Sequence, residues 1–434
     1  MPDARTARRR FVAVSFLFWL PAGLVMAPMV LLFTERGLSL TAIAGAFAAH
    51  SLTAAALELP TGGLSDVIGR RAVLAGAGVL NVCALTLMGL GTTPWVIILG
   101  TALMGAGRAL SSGPAEAWYV DTVHAASGPD ADLRTGLAHG SAASSGAIAL
   151  GVLLGGALPW LLGLGPDPGA RLRALTSDLV LPLSVPVLLG VVIDIVFIVH
   201  VLTALTEPPR PAVTLRGVLR GVPGAVASGI RLGAGDTLIR RILMTAGAAG
   251  TALAALELLT PGRAAALTGT AESGAVLFAG LAAAGFACSA LGSRLAPLVA
   301  RLAGDAEHAV LVSLGASVAG LLALGATVST GAPALTTAVV GYGLVYLGLG
   351  AAGPTENDLL HRRVDTSGRA TALSVQSLAQ QLVGAAAGLA IAALPAGPLP
   401  WLFGAVVLLV GALLWSRRTA PAPQAEPAPG WERG

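Results

Sequence analysis

The sequence predicts an all-α membrane protein whose twelve transmembrane helices form two pseudo-symmetric six-helix halves. Three observations predict this. Of the 434 residues, 55% are hydrophobic and 11% charged, far from the balance of a soluble globular chain. The apolar residues fall into twelve runs, most of them near the ~20 residues that cross a bilayer as a helix. One short pattern occurs twice: Gly113-Pro114-Ala115-Glu116 closes the fourth run and Gly353-Pro354-Thr355-Glu356 closes the tenth, 240 residues later.

The runs, bounded by charges or by Gly and Pro, fall at 11–33, 41–61, 72–92, 94–114, 137–163, 179–205, 239–260, 273–299, 309–329, 334–354, 370–394 and 399–416. The first follows Arg5, Arg8, Arg9 and Arg10 and is too long for a signal-peptide core, so it is expected to remain as an anchor. An even number of spans puts both termini on one side. With the amino terminus cytoplasmic, the outer loops hold Arg36, Arg171, Arg173 and Arg263, Arg108 lies inside a span, and the other 21 of the 26 arginines are inside. The retention of Arg-rich short loops in the cytoplasm therefore predicts a multi-pass protein of the cell (cytoplasmic) membrane with both termini cytoplasmic.

Residues 206–238 interrupt the pattern and separate an N-terminal half, 1–205, from a C-terminal half, 239–416. Leu215, Val218, Leu219, Val222, Val226 and Ile230 follow helical spacing while Arg216, Arg220 and Arg231 fall on another face, which predicts an amphipathic linker helix on the inner membrane surface. The tail, 417–434, is rich in Pro and Ala and has too little apolar surface to fold.

Composition excludes several functions. The chain has no lysine, hence neither a P-loop lysine nor a pyridoxal Schiff base. The arginines cluster in short loops and form no single basic face for nucleic acid. Cys83 and Cys288 stand alone in apolar runs, where small buried thiols pack. Gly348-Leu349-Gly350-Ala351-Ala352-Gly353 imitates a dinucleotide fingerprint but lies in an apolar span with no preceding strand. No cofactor, metal or enzymatic activity is expected. The expected partners are a small-molecule substrate, protons and the lipid bilayer, for a chain acting as a monomer.

Between runs two and three stands Gly62-Gly63-Leu64-Ser65-Asp66-Val67-Ile68-Gly69-Arg70-Arg71-Ala72-Val73-Leu74, a tight hairpin with one carboxylate, a turn-permitting glycine and two arginines. It resembles the signature loop between helices 2 and 3 of the major facilitator superfamily, and the lead-in Glu58-Leu59-Pro60-Thr61-Gly62 is similar to that of bacterial drug-efflux-like members. The repeat of Arg134-Thr135-Gly136-Leu137 in Arg369-Ala370-Thr371-Ala372-Leu373-Ser374 fits the parallel-repeat architecture of that family. The resemblance implies that Asp66 caps helix 11, that Arg70 pairs with Glu116 or Asp121 near the end of helix 4, and that such an ion pair joins the halves. It implies a conformational gate built from Gly62, Asp66, Gly69, Arg70, Arg71, Glu116 and Asp121, with Glu356 and Arg369 as the repeat's counterparts. Position 67 is Val where the family often has Arg, so any pairing made there is missing.

Other residues are candidates for coupling or binding. Arg108, about two turns inside span four, resembles the buried arginine of proton-linked members, and a charge at that depth is a functional hypothesis. The alternative is an arginine snorkelling to the headgroups or bonded to span-end carbonyls. Gly151-Val152-Leu153-Leu154-Gly155-Gly156 allows two helices to approach closely; it resembles a degenerate antiporter motif with Val152 in place of proline. Asp194 lies among Val191, Val192, Ile193, Ile195, Val196 and Phe197, surroundings that favour the neutral form of a carboxyl, and is the first candidate for proton binding. Glu257, near the outer end of span seven, is its rival, and His50 in span two completes the set. Tyr342 and Tyr346 share a helix face and either pack in the core or line a cavity with Phe16, Trp19 and Gln376.

The expected function is secondary active transport by alternating access, as proton-coupled export of a small amphipathic or hydrophobic compound. A substrate-importing symporter or a uniporter of the same fold is the alternative. A non-transporting scaffold or membrane enzyme is a third reading, since fold does not settle function.

Overall fold

Apolar spans become helices here because a bilayer offers no partner for unbonded backbone groups. The computed structural model describes residues 2–62, 64–128, 130–207, 224, 231, 235–329, 334–364 and 369–416, with the backbone alone described at 59, 60, 62, 66 and 369–371. The spans are α1 (Ala4–Met26), α2 (Leu40–Gly62), α3 (Arg70–Leu90), α4 (Pro94–Ser111), α5 (Arg134–Leu162), α6 (Ser184–Ala204), α7 (Thr237–Thr268), α8 (Ala271–Ala303), α9 (Ala306–Ala326), α10 (Ala334–Arg363), α11 (Arg369–Ala393) and α12 (Leu399–Leu413). Twelve helices of the described chain are long and apolar enough to cross a membrane, so this is a multi-pass membrane protein. The linker helix expected within 206–238 and the tail 417–434 lie almost wholly outside the described residues.

The two halves repeat one packing scheme. In the first, α1 packs on α5 and α6, α2 on α4, and α3 on α4 and α6; in the second, α7 packs on α11 and α12, α8 on α10, and α9 on α10 and α12. Both halves begin alike. The Asp3 carboxylate accepts from the Thr6 N–H at 3.2 Å to start α1, and Asp236 accepts from the Leu238 N–H at 2.7 Å to start α7. Each satisfies a backbone donor that the first helical turn leaves open.

Glycine sets how closely the helices approach. Gly151 and Gly155 of α5 lie against α1, where an added Cβ would sit 2.6 Å from the Leu20 carbonyl oxygen and 2.3 Å from that of Leu24. Gly250 does the same for α7 and α11, facing the Gln380 carbonyl. Gly156 turns to the other half and meets Ala275 and Ala279 of α8. The small-residue stripe of span five thus serves packing on α1 and on the seam between halves.

Several boundaries differ from the sequence expectation. The first run contains a break at Ala27–Pro28, after which Met29–Glu35 forms a separate short helix. The fourth run ends at Ser111, and Gly113, at φ +96°, turns the chain into a further helix, Pro114–Ser127, which holds Asp121. Span seven continues through Pro261 to Thr268, because proline forfeits one hydrogen bond without ending a helix that its neighbours support. Arg263 therefore lies within α7, not in a loop, and donates to the Thr327 carbonyl and hydroxyl at the end of α9.

The halves meet along two seams, α2 with α11 and α5 with α8. Two polar contacts between described residues cross them: Thr41 Oγ1 donates to the Ala392 carbonyl at 3.3 Å, and Arg173 lies 4.0 Å from Glu272. Both sit at the end opposite the termini. There Arg173 also pairs with Glu35, and Arg36 donates to the Asp178 carbonyl at 2.8 Å and to those of Leu179 and Gly89.

Candidate functional site

A cavity of about 320 Å³ opens at the centre of the bundle. Its walls are mainly apolar, with Phe18, Met26, Phe47, Met104, Phe278 and Phe286 prominent. Both halves contribute, since Phe278 and Phe286 belong to α8. Four polar or charged side chains of the expected site reach it: His50 of α2, Arg108 of α4, Asp194 of α6 and Glu257 of α7. The sequence carries them on separate spans, and the packing scheme brings them together.

Arg108 borders this space from the last turn of α4, three residues before Ser111 and not two turns inside the span, because the fourth helix ends before Gly113. Its guanidinium carbon lies 5.6 Å from the centre of the Trp19 ring of α1, a cation–π arrangement. Among the described residues no carboxylate lies within ion-pair distance of it. Arg108 and Trp19 also border a second cavity of about 380 Å³, which extends toward the terminus side along α1, α2, α4 and α5 and includes Glu58 and Glu116.

Asp194 is fully buried, and the Asn81 amide of α3 is its polar neighbour. Asn81 is in turn held from behind, because a Cβ on Gly107 of α4 would come within 2.4 Å of its Oδ1. Asn81 thus stands between Gly107 of α4 and Asp194 of α6, while both carboxyl oxygens of Asp194 are buried without a hydrogen-bond partner among the described residues. Asn81 was missed in the sequence, although an amide in the run Val79-Leu80-Asn81-Val82 is a visible signal there. Glu257 protrudes into the cavity and stands 11 residues inside the end of α7, deeper than a span ending at residue 260 implies. The His50 ring lies near the Thr101 backbone and Arg108.

The aromatic expectations divide. Trp19 borders both cavities, but Phe18 takes the place expected for Phe16. Tyr342 and Tyr346, with rings 5.1 Å apart, stand behind Phe278 and Phe286 and pack α10 on α8. They are core residues, since tight α8–α10 packing leaves each under one tenth exposed. Gln380 and Gln381, not Gln376, border a smaller space between α2, α7 and α11.

At the terminus side Gly69 adopts φ +109°, a conformation that favours glycine, and starts α3. Arg70 then bonds the Asp121 carboxylate and the Ala117 carbonyl, while Arg71 donates its backbone N–H to Glu207 at 2.7 Å and its side chain to the Leu202 carbonyl. Asp121 and not Glu116 is the partner of Arg70, and the pair lies within the first half instead of joining the halves. Its geometric reason is the separate helix Pro114–Ser127, which carries Asp121 back over the start of α3. Glu116 is exposed to the terminus-side cavity, and Glu356 is buried with its Oε1 unbonded. The side chains of Asp66 and Arg369 and that part of the loop around Gly62 and Gly63 lie outside the described residues.

The model of the Major Facilitator Superfamily matches residues 11–389. Among solved structures the chain resembles the nucleoside transporter NupG at 13% identity and a TM-score of 0.71, covering 94% of this chain and 98% of that one. It resembles a D-xylose-proton symporter at 14% identity and a TM-score of 0.67, covering 95% and 96%. A POT family transporter in complex with 5-aminolevulinic acid follows at 14% and 0.64, with 94% of each chain covered. No curated protein sequence matches. At these identities the structural likeness carries the fold, and the family match carries membership: the chain belongs to the major facilitator superfamily of membrane transporters.

Proposed function

We propose that the protein exports a small amphipathic or hydrophobic compound in exchange for protons, by alternating access to the central cavity. The observation that carries this reading is a largely apolar cavity, walled by both halves, with a fully buried carboxyl at its edge. Asp194 is the proposed proton carrier. Its protonation would respond to whichever side hydrates the cavity; Asn81 is the polar group beside it, and Glu257, His50 and Arg108 border the same cavity. With the termini cytoplasmic, the seams at Thr41–Ala392 and Arg173–Glu272 form the outer gate, and the loop of Asp66, Gly69, Arg70 and Arg71 belongs to the inner one. Exchange of one conformation for the other then requires breaking contacts on one side while making them on the other.

Proton-linked import is the second reading, favoured by the likeness to the D-xylose-proton symporter. Inverted membrane vesicles with an imposed pH gradient separate the two. Gradient-dependent accumulation of a compound from a panel of amphipathic acids, amides and amines supports export, and gradient-dependent depletion supports import. Asp194→Asn should abolish gradient-driven flux yet spare exchange between compartments at equal pH. Undiminished gradient-driven flux in that variant would remove Asp194 from the coupling step and leave Glu257 as its replacement.

A further inference from the structure

We propose that Arg108 stacked on Trp19 is the receptor for the acidic group of a singly charged amphipathic anion, whose apolar body fills the central cavity. This rests on the reading of that cavity as the substrate site and names the class of compound it takes.

Arg108 stands in the last turn of α4, three residues before Ser111, and opens onto both cavities, where a guanidinium attracts a counter-charge. The protein supplies none within ion-pair distance among its described residues, yet Trp19 holds the guanidinium at the junction of the two cavities. The Trp19 ring lies beside the guanidinium, and none of the guanidinium N–H groups is bonded to a described residue, which leaves them for a planar carboxylate that accepts two parallel hydrogen bonds. The same space limits the charge of the ligand. Glu58 and Glu116 border the approach from the terminus side, and Glu257 borders the central cavity from the second half. A dianion such as a phosphate monoester would face repulsion from these carboxyl groups, whereas a single charge is balanced by Arg108. The remainder of the ligand meets Phe18, Phe47, Phe278 and Phe286 with Met26 and Met104, a lining of rings and pliable thioethers that accepts varied apolar bodies.

The test is equilibrium binding of 4-butylbenzoate, 4-butylbenzamide and 4-butylbenzylamine to the purified full-length chain in detergent. These probes share a body and differ in head-group charge, and no gradient is needed. Wild type is expected to bind the acid at least about tenfold tighter than the amide, as a charge-assisted bond warrants, and the amine weakest. Arg108→Gln should bring the acid-to-amide ratio to about one. Arg108→Lys should keep a reduced preference, because it retains the charge but not the planar fork. Gel filtration and melting of each variant verify its fold, and where Arg108→Gln does not fold, an undiminished preference in Arg108→Lys overturns the stacked-fork geometry. Equal binding of acid and amide by wild type, or a preference that survives Arg108→Gln, overturns the proposal while leaving the amphipath cavity standing. Failure of all three probes to bind overturns both.

Discussion

The same four-residue pattern has two fates in the two halves. At Gly113-Pro114-Ala115-Glu116 the chain breaks: Gly113 takes φ +96°, a new helix starts at Pro114, and Glu116 is exposed to the terminus-side cavity. At Gly353-Pro354-Thr355-Glu356 the helix runs straight on to Arg363, and Glu356 is buried. Proline is compatible with either outcome, since it starts a helix readily and is tolerated inside one that neighbours support. What decides is the surroundings. Arg70 and Trp118 fasten the new helix of the first half to the start of α3 and the end of α6, whereas α10 is packed along its length by α8 and α9. Sequence repeats therefore establish equivalent positions but not equivalent roles.

Helix contact through glycine is where the halves agree, and it should give the largest effects. Gly155→Leu and Gly250→Leu each force a side chain into a facing carbonyl, and both are expected to lower the melting temperature by ~10 °C or abolish folded protein, well beyond the ~1–3 kcal/mol of mild overpacking. Gel filtration with a thermal melt reads this. Tolerance of one substitution but not the other would show that the α1–α5 and α7–α11 pairs are not equivalent.

Arg173 separates the two ends of the molecule. Arg173→Ala removes the pair with Glu35 and the contact with Glu272 across the seam, and cross-linking of cysteines placed at positions 160 and 273 should fall several-fold. Arg171→Ala, two residues earlier on an exposed position, should leave that yield unchanged. Equal losses in both would mean that charge in this loop, and not the specific contact, holds the far end together.

A smaller effect is expected at Glu356. Replacing a buried carboxyl whose Oε1 has no partner by the neutral Gln should leave stability unchanged or raise it by about 1 kcal/mol. Glu116→Gln should shift the melting temperature by less than about 1 °C, as exposed substitutions do. A clear loss of stability in Glu356→Gln would reveal an ionic partner for that residue.

The smallest effect is the coupling between Arg70 and Asp121. Because the aspartate side chain is 42% exposed, a double-mutant cycle with Arg70→Gln and Asp121→Asn is expected to give only ~0.5–1 kcal/mol. A value above ~3 kcal/mol would place the pair among the fully buried ones.

The scaffold was readable because a bilayer imposes a length and an apolarity that composition displays directly. Eleven of the twelve runs end within a few residues of a helix at one or both ends, and the Gly-x-Leu-x-Asp-x-x-Gly-Arg-Arg hairpin has its glycine in the conformation its turn needs. The site was less readable for a physical reason. When lipid-facing and inward-facing positions are both apolar, as in α6, helical periodicity no longer distinguishes them. Charged residues escaped this ambiguity, and Arg108, Asp194, Glu257 and His50 do converge on one cavity. Aromatic residues did not: the sequence pointed to Phe16 where Phe18, two positions along, borders the cavity, and it left Tyr342 and Tyr346 open between core and lining. Long-range pairing was also hidden: nothing local in Asp121 distinguishes it from Glu116, because the choice depends on a helix that folds back after Gly113.

That turn at Gly113 has a mechanical consequence. A continuous helix can transmit torque along its axis, and α10 is one unbroken shaft from Ala334 to Arg363. In the first half the corresponding shaft is jointed, with the Pro114–Ser127 segment clamped instead to α3 and α6. If the halves rotate as proposed, the second half would carry its own surface end along as a rigid lever, while the first half would bend at Gly113.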